Sequence, residues 1–150
     1  MDDPREKLQA DLKEAMRARD RQRLSVIRMA LNAIKQEEID RRVALNAQDA
    51  TAILMREAKK RRESIVEAEQ AGRGEIAEAE QAELAILESY LPQQLSPEAI
   101  REMAREIIAR TGASSPKDMG QVMKELMPKV KGQADGQLVN QIVRDLLSGE

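Results

Sequence analysis

The sequence predicts an all-α protein in two helical subdomains: an N-terminal bundle with a long helix and a helical hairpin over residues 1–91, and a C-terminal three-helix module over 92–150. Three observations carry this expectation. Of 150 residues, 35% are charged and 41% hydrophobic, with Ala, Leu, Ile, Glu, Arg and Lys dominant, which is the profile of a helical chain. Apolar residues recur every three or four positions along most of the length. The stretch Tyr90-Leu-Pro-Gln-Gln-Leu-Ser-Pro97 breaks that recurrence, because Pro92 and Pro97 bar a continuous helix.

Asp3 and Pro4 open the first helix, with Leu8, Leu12, Ala15 and Met16 on one face. A second begins at Asp20-Arg21, where Leu24, Ile27, Leu31 and Ile34 repeat and the pattern runs on to Ile39 and Val43. Unbroken to residue 44, it would be roughly 36 Å long, the spine of the bundle. Asn46 with Asp49 three later starts the third, lined by Leu54, Ala58, Ile65 and Ala68, with Arg61 interrupting the stripe. Gly72-Arg73-Gly74 turns the chain into a fourth helix carrying Ile76, Leu84, Leu87 and Leu91. Counting outward from that turn sets Arg61 near Glu83 and Glu80, so an interhelical Arg61–Glu83 or Arg61–Glu80 contact is expected.

Ser96-Pro97 starts the fifth helix, with Ile100, Met103, Ala104, Ile107 and Ile108 inward and Thr111-Gly112 closing it. Ser115, Pro116 and Asp118 form a capping box with Asp in place of Glu for the sixth. Met119, Val122, Met123, Leu126 and Met127 line it, and Pro128 should stop it nearby. Lys129, Lys131, Gly132 and Gly136 make a basic connection, and Asp135 caps the seventh helix, whose buried face is Leu138, Val139, Ile142, Val143, Leu146 and Leu147.

Absences exclude whole classes of chemistry. With no cysteine and no histidine, disulfide scaffolds, thiolate metal sites, His-based triads and Glu/His di-metal sites are ruled out. Neither phosphate-cradling glycine loop occurs. Tyr90 is the sole aromatic, so no base-stacking platform can form, and a nucleic acid would have to be held by backbone and shape. No small-molecule cofactor and no metal is expected. The opening MDDPREKL has no apolar core, and no uncharged run approaches membrane length, so a cytoplasmic protein with no membrane partner is expected.

Four features could carry function. Arg56, Lys59 and Lys60 share a helical face with Glu63, either as a solvated surface or as a phosphate-binding one. The alternating arginines from Arg17 to Arg23 would splay around a helix axis. Ser114-Ser115-Pro116-Lys117 has the look of amidase Ser–Ser–Lys chemistry, but a helix N-cap accounts for it. Met119, Met123 and Met127 at four-residue spacing read as core filling before they read as a partner groove.

The C-terminal GxVMKxLMPKVKGxADGxxVNxIVxxLL pattern, ESYLPQQLS at 88–96, RLSVIRMALNAIKQEEID at 23–40, and KKRRESI and AGR at 59–65 and 71–73 together resemble the YqeY family of GatB/YqeY-domain proteins over essentially the whole chain. The C-terminal part is also similar to the tail domain of GatB, the B subunit of the glutamyl/aspartyl-tRNA amidotransferase. The matching positions are Gly120, Met123, Lys124, Gly132, Ala134, Val139 and Asn140. In the family a basic residue often stands where this chain has Gln133.

The resemblance implies a two-subdomain helical protein related to a tRNA-contacting, non-catalytic piece of that enzyme. A label of carbon–nitrogen ligase with glutamine as amido donor would follow from the likeness alone, and no residue here matches the amidotransferase active sites. The expectation is therefore a tRNA-associated accessory protein without catalysis of its own. Lys124, Lys129 and Lys131 would touch the backbone, Gly132 and Gly136 would allow close approach, and Arg56, Lys59 and Lys60 would extend the contact. The alternative is a helical adaptor for an amidotransferase or synthetase subunit. Eight basic and eight acidic residues from Pro92 on suit either partner.

Overall fold

The computed structural model describes residues 2–149, and helices with their connections account for all of them, with no strand among the described residues. The elements are α1 (Pro4–Ala18), α2 (Arg21–Arg41), α3 (Ala47–Gln70), α4 (Gly74–Glu88), α5 (Pro97–Thr111), a 3-10 turn (Pro116–Asp118), α6 (Met119–Val130) and α7 (Gly136–Leu147). They form two compact units, one ending at Pro92 and the other beginning at Gln93.

In the first unit the helix starts follow the cap residues. The carboxylate of Asp3 accepts the Arg5 N–H at 3.0 Å, that of Asp20 accepts the Arg23 N–H at 3.1 Å, and the Asn46 carboxamide accepts the Asp49 N–H at 2.8 Å. Each satisfies one of the orphan donors of a first helical turn. α2 ends at Arg41 rather than near 44, because Arg42 turns left-handed at φ 55 and the Leu45 N–H is captured by the Glu38 carboxylate at 2.9 Å. The helix is therefore about 32 Å long.

Leu8, Ile27, Ile34, Leu54 and Leu87 are fully buried at the centre of this unit, with Ala15, Ala30 and Ala58 where backbones approach. Four expected core positions face outward: Met16 (53% exposed), Ile39, Val43 and Ile76. For α1 the buried line is Leu8 and Ala15, seven apart, and Met16 lies one residue, about 100°, off that line. In α4 Ala77 takes the inward place expected of Ile76, in line with Leu84 and Leu87.

Polar side chains stitch the helices together. The Arg5 guanidinium donates to Asp3, to Glu38 at 3.3 Å and to the Leu45 carbonyl at 2.5 Å, tying α1 to the α2–α3 connection. This bond to Arg5 holds the Asp3 carboxyl below its ordinary pKa. Arg61 donates to Glu83, so the contact counted from the 72–74 turn forms on the Glu83 side. Buried Tyr90 donates its hydroxyl to Asp11 at 2.6 Å, and Arg23 meets the same carboxylate at 3.2 Å. Burial, and then the bond to Asp11, push the Tyr90 phenol up to about 12. Lys7 sits 5.4 Å above the ring centroid, within cation–π range.

In the second unit the Ser96 hydroxyl accepts the Ala99 N–H at 3.1 Å and Gly112 closes α5 at φ 76. Ile100, Ala104, Ile107, Val122, Leu126, Val130, Val139 and Val143 form the core, with Met119, Met123 and Met127 packed against it. Those methionines are thus filling. Pro128 does not stop α6, which runs two residues further to Val130. It removes the donor that would otherwise serve the Lys124 carbonyl, and both residues are exposed, where water can replace the bond. The helix ends where Lys131 becomes extended at ψ 128.

Candidate nucleic-acid interface

The basic corner between α6 and α7 is built by backbone constraints. The start of the helix that leads to it is fixed by Asp118, whose carboxylate accepts the N–H groups of Ser114 at 2.9 Å and Ser115 at 3.3 Å. The Ser–Ser–Pro–Lys segment is accordingly a helix start. At the exit, the Gln133 N–H returns to the Val130 carbonyl at 2.9 Å, which requires a left-handed residue between them, and Gly132 supplies it at φ 79. Asp135 then caps α7 through the Gln137 N–H at 3.4 Å.

The segment just before α5 clamps this corner. The Gln94 carboxamide donates to the Gly132 carbonyl at 3.0 Å, the Leu95 N–H donates to the Gln133 carbonyl at 2.8 Å, and the Gln133 carboxamide donates to the Gln93 carbonyl at 3.3 Å. Gln133 therefore does positional work where a basic residue would have carried charge. Sequence reasoning treated Gln93, Gln94 and Leu95 only as a boundary. Nothing local in the sequence signals a partner some forty residues away.

The clamp leaves the cations outward. Lys124, Lys129 and Lys131 are exposed and none enters a salt bridge among the described residues. The nearest acidic neighbour on α6, Glu125, is drawn to Arg110 of α5. Lys117, Lys124 and Lys131 are exposed at seven-residue intervals, in the 3-10 turn before α6, within α6 and at its C-cap. Lys117 is a member the sequence reading passed over, although its spacing was visible. Gly120 lies between Lys117 and Lys124 with open space where a side chain would stand, so a backbone can approach closely. Gly136 is exposed, and a side chain there would lie 3.8 Å from the Met127 methyl. Lys129 in the last turn of α6 and Lys131 at its C-cap also complement the partial negative charge of that helix end, worth about 0.3–1 kcal/mol each.

The basic run on α3 is arranged differently. Arg56 reaches Glu37 on α2 at 3.4 Å and Lys60 reaches Glu57 at 3.4 Å. Lys59 is half-buried and also engaged. That face is partly neutralised from within, by Glu37 and Glu57, in addition to the expected Glu63. The arginines from Arg17 to Arg23 do splay. Arg19 ends α1 at φ 55, Arg23 turns in to Asp11, and Arg21 stays exposed at the start of α2.

No group of three or more acidic side chains gathers in a way that could hold a metal ion among the described residues. No helix among them is long and apolar enough to cross a membrane. A family profile described as Yqey-like protein matches residues 5–147. No curated protein matches the chain.

Proposed function

The chain belongs to the Yqey-like family, and on that premise we propose that it is a non-catalytic, tRNA-associated accessory protein that binds the RNA backbone by charge and shape. The observation that carries this reading is the α6 corner: Lys124 and Lys129 exposed on α6 and Lys131 exposed on the loop that follows, none with an acidic partner among the described residues, the loop itself pinned by Gln94, Leu95 and Gln133. A pinned loop loses little conformational freedom on binding, which favours contact by preorganisation. The likeness of residues 120–140 to the GatB tail domain points to tRNA as the nucleic acid. Lysines suit phosphate as point charges, and the absence of base-stacking aromatics limits recognition to backbone and shape.

Binding of total tRNA, followed by filter retention over a salt series, tests the reading. Affinity should fall by about 0.7–0.9 log unit per log of salt for each phosphate neutralised. Retention indifferent to salt, or absent at low salt, refutes it. Replacing Lys124, Lys129 and Lys131 with Gln should lower that slope by about 2–3 with unchanged helicity. In the adaptor reading, a synthetase or amidotransferase subunit co-purifies from nuclease-treated lysate and the lysine variant binds it as well as the parent does.

A further inference from the structure

A second row of cations, on the other unit, has the same character and no role so far. Arg21, Arg28 and Lys35 are exposed on α2 at seven-residue spacing, which on a helix places them on nearly one line, about 10.5 Å apart and about 21 Å end to end. Ser25 and Asn32 fall between them at three- and four-residue steps. Arg21, Ser25, Arg28, Asn32 and Gln36 line an open groove of about 780 Å³, with Glu57 of α3 on its far wall.

The carboxylates that could neutralise this row are engaged elsewhere. Glu37 meets Arg56, Glu38 meets Arg5 and the Leu45 N–H, and Asp40 accepts the Gln36 carboxamide at 2.9 Å. Asp20 caps the helix, and Glu57 is held by Lys60. No salt bridge to Arg21, Arg28 or Lys35 forms among the described residues. A small anion would need cations converging on one point, and these are strung out along a line. An occupant with repeated negative charges fits that line, and the Ser25 hydroxyl and Asn32 carboxamide between the cations suit sugar hydroxyls and phosphate oxygens.

We propose that the exposed face of α2, with Arg21 and Arg28 lining the groove and Lys35 continuing the row beside it, is a second binding site for the sugar–phosphate backbone of RNA. It rests on the RNA-binding reading above but uses none of the α6 lysines. The groove adds its own contacts, so the full chain binds with a steeper salt dependence than the α6 corner alone can produce.

The test uses the full-length chain and total tRNA, with log affinity measured against log salt for four proteins. These are the parent, R21Q/R28Q/K35Q, K124Q/K129Q/K131Q, and R21K/R28K. Gln retains helix propensity at these exposed sites, and circular dichroism verifies the fold. The α2 triple variant should lose about 2–3 from the slope, the α6 variant should keep a salt-dependent residue of binding, and the lysine-for-arginine variant should keep the parental slope. A parent that binds tRNA while the α2 variant matches it in slope and affinity overturns the groove and leaves the RNA reading intact. A parent that binds no tRNA at any salt overturns both. Loss of affinity with an unchanged slope overturns the groove as well, since the contact is then not electrostatic.

Discussion

Tyr90 offers an internal measurement of how tightly the N-terminal unit is knit, because it is the only aromatic residue in the chain and its ionisation can be read without interference. Its hydroxyl is buried and donates to Asp11 at 2.6 Å, so ionisation would place a phenolate against a carboxylate. The fold raises the phenol from 10.0 to about 12, a difference of at most roughly 2–3 kcal/mol in favour of the neutral form, because residual solvent access screens it. The sign follows: the folded state holds the proton more tightly than the unfolded chain. The contribution is therefore complete below pH 10 and lost as pH rises towards 12. A spectrophotometric titration of phenolate absorbance, run beside far-ultraviolet circular dichroism, reads both quantities. The expected midpoint lies near 12, or coincides with loss of helix if the unit opens first. A midpoint near 10 with helix content intact refutes the reasoning. Tyr90→Phe should cost about 1–2 kcal/mol in urea unfolding at neutral pH, at the low end for a bond to a charged acceptor because Arg23 still partners Asp11. It should also reduce the alkaline loss of stability.

Three further outcomes follow from the geometry. Arg61→Met and Glu83→Gln should each destabilise by about 0.5–1 kcal/mol and be strongly non-additive in combination, measured by urea unfolding, since the pair is partly exposed. Asp3→Asn keeps the helix cap but removes the carboxylate that Arg5 holds below its ordinary value of 3.8. The parent therefore loses stability as pH falls below 3.8, and the variant should show a shallower acid limb in the same range. Gln94→Ala and Gln133→Ala should each cost about 0.5–1.5 kcal/mol and raise amide exchange across residues 131–135, whereas unchanged protection there would mean the clamp does not hold the corner.

How much of this was legible depended on how local each cause was. Asp3, Asn46, Ser96 and Asp135 act on amides two or three residues away, so their helix starts could be placed from the residue types. Arg61–Glu83 was also within reach, because a short turn fixes the register of the α3–α4 hairpin and counting from it is enough. Met16 and Ile76 were misplaced because an apolar residue beside the true stripe looks like a member of it, and only the neighbouring helix decides which line is buried. Pro128 signals a stop by residue type alone, yet α6 continues two residues past it, because at an exposed position water can replace the lost donor. The clamp of Gln93, Gln94 and Leu95 on the basic corner, and the bond between Tyr90 and Asp11, join residues about forty and seventy-nine apart, and no periodicity encodes them.

The same distinction bears on the partner. A net charge of −2 argues against a polyanion only if charges are evenly spread, and they are not. α4 carries Glu75, Glu78, Glu80, Glu83 and Glu88 with no basic residue, and the end of α3 after Arg62 adds Glu63, Glu67 and Glu69, again with no basic residue. The acidic excess is thus concentrated on one hairpin. On α2 and α6, Glu37 and Glu125 are drawn to arginines of neighbouring helices, and Asp40 accepts from Gln36 rather than from a cation of the row. What remains outward is Arg21, Arg28 and Lys35 on α2, and Lys124 and Lys129 on α6 with Lys117 and Lys131 flanking it. Whole-chain charge sets long-range attraction, which salt screens beyond about 8–10 Å, whereas phosphate contact is decided within that distance. At that range each row presents positive charge, so the acidic composition and a polyanionic partner are compatible.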